Sequence, residues 1–382
     1  MLTTKVLHVE FLLIYKRLLT ASTTIFYLKK LDYYGIRGTV NDWFASYLNN
    51  RSQFVSLLGF HSDTKIIKHG VPQGSVLGPL LFLIYINDLN KAIRFCKVYH
   101  FADDTNLLKI CNSPKQLQKH VNLDLKFLYQ WLLANKISLN CSKTELIFFS
   151  KPGDTSRGFD FKIKMNGHKI IPSQYIKYLG VLVDIHLNGN FHCDTLVKKL
   201  KRANGMLCKA RHYVPHEELK SIYYAIFSSH LSYGCQIWGQ KSNVHTQKVF
   251  KLQNRAMRII SFSDFHADAN PIYKELKILK LEDFISLQNA LFVHDFLKKK
   301  LPICFDDYFK KSDQVHSIGT KGAKLGCLFV PSVSTTKYGI QSITRQSILS
   351  WNTLCKDLHT NLADCSRSVA KSKITTHFLH SY

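Results

Sequence analysis

KVYHFADDTNLLKI, residues 97–110, is the stretch from which the fold class is read. Two apolar-rich runs flank the adjacent carboxylates Asp103 and Asp104, the pattern of a β-hairpin with acids at its tip. Aspartate suits such turns because its side chain bonds the local backbone and accepts positive φ. Two adjacent anions repel, and the second tends to bind a proton unless a cation compensates. A hard divalent ion such as Mg2+ takes carboxylate oxygens and keeps water or phosphate in its remaining positions. Taken alone, an Asp-Asp pair more often marks an ordinary solvent-exposed turn, so its surroundings decide.

Those surroundings include HGVPQGSVLGPLLFLIYINDL, residues 69–89. Gly70, Pro72, Gly74, Gly78 and Pro79 make a rigid loop whose backbone can approach a ligand closely, and Pro79 suits the first turn of an apolar helix. A glycine-rich loop before a helix is by itself a weak phosphate-binding signal. Joined to a carboxylate hairpin about 25 residues later, it is a parsimonious nucleotide-plus-metal site.

The whole chain agrees with a polyanionic partner. Its 382 residues are 46% hydrophobic with 9 prolines, enough to bury a large core, which excludes a disordered tail. Lys and Arg number 52 against 26 Asp and Glu, a net charge of +26, and the pI is about 9.6. The basic residues recur along most of the chain, which favours nucleic acid over a membrane surface, where charge concentrates on one amphipathic segment. The 10 cysteines are scattered, without a CxxC pair or a close Cys/His set, so a reducing compartment and no structural zinc are expected. The longest apolar run, Val76–Ile86, is about half the ~20 residues a membrane span needs. The first residues lack a small-residue cleavage site, and the expectation is an intracellular protein, nuclear or cytoplasmic, with no membrane partner.

Polar punctuation divides the chain. Residues 1 to about 60 read as helical, 60–150 alternate turn, apolar helix and short strands, and KPGDTSRG (151–158) reads as a loop. Beyond Leu187 helical periodicity takes over, with Leu196, Leu200, Ala203, Leu207 and Ala210 on one face. Between Thr195 and Ile260 there are 12 Lys and Arg against Glu217 and Glu218. Any single lysine there reads as a solvated face, whereas the segment as a whole reads as phosphate-facing. Tyr223, Tyr224, Phe227, Tyr233 and Trp238 interleave with it and read as core, because SIYYAIFSSHLSYGCQIWG carries no Asp, Glu, Lys or Arg.

Several of these peptides, in order, resemble one family. GVPQGSVLGPLLFLIYINDL, then FADD, ISLNCSKTELIFF and KYLGVLVD resemble the palm of reverse transcriptases of non-LTR, LINE-type retrotransposons of the jockey-like group. The likeness extends upstream through LKKLDYYGIRG and WFASYLNNRSQFV and, more loosely, downstream through LSYGCQIWG and LQNRAMRII.

The resemblance implies an α+β right-hand polymerase fold, with an antiparallel palm sheet and packed helices over 20–185 and a basic helical thumb over 190–265, while residues 266–382 read from their own sequence as a further helical region. Residues 1–19 would be a degenerate segment and the fingers would be largely missing, as in an N-terminally truncated copy. It also implies an RNA template, a DNA primer, deoxynucleoside triphosphates and two Mg2+ ions, and leaves the oligomeric state open. Asp103 would bind the ions, with Asp104 beside it. Pro72, Gln73 and Gly74 would line the nucleotide pocket, and Phe101 would support the hairpin beneath the primer end. Lys143 would be the general acid for pyrophosphate, or simply a solvated turn lysine, and Tyr178, Leu179 and Gly180 would grip the primer.

The family pattern FDTVDHxxLLKKL carries a further metal-binding aspartate. Placed without gaps on LTASTTIFYLKKL, which ends at Leu31, it puts Thr20 at that position. Glu10 is the only acid between Met1 and Lys30 and precedes it by 10 residues. Two readings follow: a polymerase impaired by the loss of that ligand, or a nucleic-acid-binding remnant that no longer polymerises.

Overall fold

The computed structural model describes residues 7–14, 24–67, 70–72, 74–137, 144–150, 160–239, 244–315, 325–332 and 340–382. They fall into two compact units, Met1–Leu187 and Asn188–Tyr382.

The first unit is built on a four-stranded sheet. Its strands are β1 (Leu7–Ile14), β2 (Lys97–Phe101), β3 (Asp104–Cys111) and β4 (Glu145–Phe149). Their order is β2-β3-β1-β4, and each pairing is antiparallel. The helical expectation for the first 60 residues fails at β1, which is a central strand. LHVEFLLI is a short, nearly continuous apolar run, and periodicity alone cannot separate such a strand from a helix. The neighbours on both edges decide, because each takes up one row of β1 backbone groups.

One sheet face is covered by helices. Here α1 (Thr24–Tyr33) and α2 (Thr39–Leu48) are joined through Gly35 and Gly38, whose φ values of 88° and 58° suit glycine. The apolar α3 (Leu77–Ile86) and the amphipathic α4 (Pro114–Ala134) follow in the chain. Leu117, Val121, Leu125, Leu128 and Leu132 give α4 its buried stripe. That stripe packs in one core with Leu81, Phe82 and Tyr85 of α3 and Leu107, Cys111 and Leu146 of the sheet. Asp124 of α4 is fully buried, and its carboxylate accepts the backbone N–H groups of Arg94, Phe95 and Cys96 at 3.0, 3.0 and 2.7 Å. One side chain thereby fixes the entry into β2.

In the second unit, α5 (Asn190–Ala210) carries the periodic face read from the sequence: Leu196, Leu200, Ala203 and Leu207 are buried. They pack in one cluster with Val249, Ala256, Met257 and Ile260 of α6 (Val244–Ile260). Tyr223, Phe227 and Trp238 are core as expected, whereas Tyr224 and Tyr233 are 46% and 55% exposed. A further cluster around Trp351 joins α7 (Leu281–Leu297), α8 (Ile343–Asp357) and α9 (Arg367–His380). Among the described residues no helix is long and apolar enough to cross a membrane, and the described cysteines are free thiols.

Candidate active site

The acidic peptide forms the expected hairpin. Phe101 pairs with Asp104, so β2 and β3 are joined by Ala102 and Asp103 alone. Ala102 takes φ of 49°, a conformation that costs a non-glycine residue about 1 kcal/mol and here lifts Asp103 to the exposed tip. His100 anchors the hairpin from below: Nδ1 lies 2.9 Å from Thr105 Oγ1, and Nε2 lies 2.9 Å from Asn90 Oδ1. Burial lowers its pKa, which favours a neutral ring that bridges the two groups.

The sheet has two unlike faces. Leu107 and Leu146 point to the helices, so their strand neighbours point away. That open face carries Tyr99 and Phe101, 49% and 61% exposed, together with Asp104. Burial, and then the charge of Asp103, raises the pKa of Asp104 above the ordinary carboxylate value. The tip therefore favours a compensating cation.

A second hairpin packs against this face. Strands β5 (Tyr175–Tyr178) and β6 (Val181–Asp184) turn through Leu179 and Gly180, with φ of 43° and 85°. Positive φ at both turn residues matches the twist of the flanking strands, and Gly180 adopts it without steric cost. Ile176, Tyr178, Val183 and Ile185 cluster with Ile147 and Phe149 of β4. Main-chain bonds from Ser173 to Leu146 (2.7 Å) and from Ser150 to Ile185 (3.0 Å) hold the hairpin there.

The glycine loop is built as a close approach. Val71 is buried in the same core as Leu107, which ties the loop and the acidic hairpin to one scaffold. Gly74 takes φ of 80°, and a Cβ on Gly78 would stand 3.0 Å from Pro72 O. Ser75 Oγ donates to Pro72 O at 2.8 Å and accepts from Gly78 N at 3.0 Å, closing the loop onto the start of α3. Pro72 and Gly74 are thus described, and Gln73 between them lies outside the described residues, as do Lys143 and Thr20. The structure brings Asp104, Phe101 and the Tyr178 hairpin to one sheet face and says nothing of those three.

Among the described residues no group of three or more His, Cys, Asp and Glu side chains could hold a metal ion. Asp103 and Asp104 still fit a single hard cation, because Mg2+ is commonly bound by one or two carboxylates plus substrate phosphates. Sequence reasoning missed Asn106, buried on β3 with neither side-chain atom hydrogen-bonded, and the register that places Ile14 opposite Asp104. The alternation of β3 was the available signal for the first; the second depends on β1 being a strand.

Residues 26–183, all within the first unit, match the reverse transcriptase (RNA-dependent DNA polymerase) family. Over that stretch the chain is similar to reverse transcriptases. It is similar to the RNA-directed DNA polymerase from mobile element jockey of Drosophila melanogaster, 28% identical over 260 residues, 64% of this chain and 27% of the relative. The polymerases from transposons X-element and BS of the same fly are each 26% identical, over 66% and 68% of this chain and 28% and 29% of theirs. The chain thus spans little more than a quarter of the length of these relatives, and its likeness to the jockey-like non-LTR group agrees with the motif order.

Proposed function

We propose that the chain works on nucleic acid as the RNA-directed DNA polymerase of a jockey-like non-LTR retrotransposon, an intracellular activity impaired in this copy. The observation that carries the reading is the Asp103–Asp104 tip beside an open sheet face shared with the Tyr178 hairpin, inside the matched region. In this reading the sheet with α3 and α4 is the palm and the basic helices of 190–265 are the thumb. Its substrates are an RNA template, a DNA primer and deoxynucleoside triphosphates.

Each group has a task. Pro72, Gln73 and Gly74 line the pocket for the incoming nucleotide and the template base, where the exposed Gly74 lets backbone approach the ligand. Phe101 supports the primer end, and the hairpin turn Tyr178–Gly180 grips the primer so that its 3′-oxygen meets the α-phosphorus in line. Lys143 donates a proton to the departing pyrophosphate. Asp103 and Asp104 would hold divalent metal, which when bound neutralises triphosphate charge and acidifies the 3′-hydroxyl.

A non-catalytic, nucleic-acid-binding remnant is the second reading. It is favoured by the register, in which Ile14, not a carboxylate, stands opposite Asp104, while Glu10 pairs with Leu108 roughly 13 Å back along the strand. Primer extension on an RNA template with Mg2+ separates the two. The polymerase reading expects slow synthesis that Asp103→Ala abolishes; synthesis no faster than in Asp103→Ala, with RNA binding retained, makes the chain a remnant.

A further inference from the structure

The sheet face turned away from the helices carries polar groups to which the polymerase reading assigns no task. Asn106 lies two residues beyond Asp104 on β3 and shares its face. It is 1% exposed, and neither Oδ1 nor Nδ2 has a hydrogen-bond partner. A buried amide left without partners costs about 1–3 kcal/mol, which a ligand can relieve.

The ladder extends this row across the sheet. Asn106 pairs with Leu12 of β1, and Leu12 pairs with Glu145 at the start of β4. Directly paired residues share a face, so Asp104, Asn106 and Glu145 stand on one side at one end of the sheet. The half-buried Glu145 is the neighbour in sequence of Leu146, which points to the helices, and this agrees with its facing the open side. Two strand spacings across and two residues along put the Cα atoms of Asp104 and Glu145 about 12 Å apart.

Resting on the polymerase reading, we propose that Glu145 is the outer carboxylate of the site. It is a positioning residue that holds the water shell of the divalent ion gripped by Asp103 and Asp104, on the sheet face that Asn106 shares. The separation is too great for the three carboxylates to share one inner sphere as the side chains stand, in keeping with the lack of a three-ligand group among the described residues. Mg2+ dehydrates reluctantly and keeps several waters when few carboxylates bind it. A water-bridged contact is nearly as favourable as a direct one. Negative charge that β1 does not offer at Ile14 is thus supplied from the strand on its far side.

Mn2+ alone is the probe, titrated into the full chain without primer or nucleotide, with the EPR signal of the free ion as the readout. Glu145→Gln is expected to weaken Mn2+ binding about 10-fold, as loss of an outer-sphere partner does, with the thermal melt unchanged. Glu145→Asp is expected to fall between it and the parent, and Glu10→Gln to bind as the parent does. Parent-like Mn2+ affinity in Glu145→Gln, beside lost affinity in Asp103→Asn, overturns the proposal and leaves the polymerase reading standing. No binding by the parent overturns the proposal alone, since a polymerase site can need substrate phosphates to hold its ion, whereas parent-like affinity in Asp103→Asn overturns both. Should Glu145→Gln fail to fold, Glu145→Asp decides: weaker binding upholds the role and unchanged binding ends it.

Discussion

Ile14 closes β1 directly opposite Asp104, the first residue of β3. The central strand thus ends level with the acidic tip without placing a carboxylate there, and described acid charge at that tip comes from the hairpin itself. This relationship makes the chain's likeness to reverse transcriptases and its present activity separate questions.

The repulsion at the tip has a measurable sign. Burial and Asp103 raise the folded-state pKa of Asp104, so the folded chain holds that proton more tightly than the unfolded chain does. The ionised form therefore destabilises the fold at neutral pH, and the penalty fades as pH falls through the carboxylate range. Asp104→Asn is expected to melt higher than the parent at pH 7, with the gap closing toward pH 3 and on adding Mg2+. A lower melt at pH 7 contradicts this.

Asp124 is the buried peg under the hairpin. Asp124→Ala leaves the N–H groups of Arg94, Phe95 and Cys96 without an acceptor and is expected to destabilise the fold by about 3 kcal/mol in urea unfolding. Asp124→Asn, which keeps one acceptor oxygen, is expected to cost less. Equal losses would show that the peg acts by packing.

Exposed Lys198, Lys199, Lys201 and Arg202 on α5 are the test of the thumb reading. If all four meet phosphates of single-stranded RNA, changing them to Gln makes the log–log salt dependence of binding shallower by about 3, at roughly 0.7 per contact. An unchanged slope in fluorescence anisotropy places the nucleic acid elsewhere.

Much of this was legible because it is local. The turn at Asp103 announces itself by residue type, and the stripe Leu196–Leu207 by period. LHVEFLLI did not, because eight mostly apolar residues fit a buried strand or a helix equally, and only the β3 and β4 partners settle it. The row Asp104, Asn106, Glu145 was invisible for the same reason: it is made by register across β1, and residues 40 apart in sequence share no local pattern.

RNA-templated single-nucleotide incorporation by the Ile14→Asp chain, beside the parent and the Ile14→Asp/Asp103→Asn double variant, tests the central claim most directly. If the tip is the site of nucleotidyl transfer and lacks only a carboxylate from β1, Ile14→Asp speeds incorporation at least about 10-fold, since one well-placed charge at a transition state contributes that much or more. The double variant then falls to background. Incorporation that is indifferent to Ile14→Asp and survives Asp103→Asn would contradict the account.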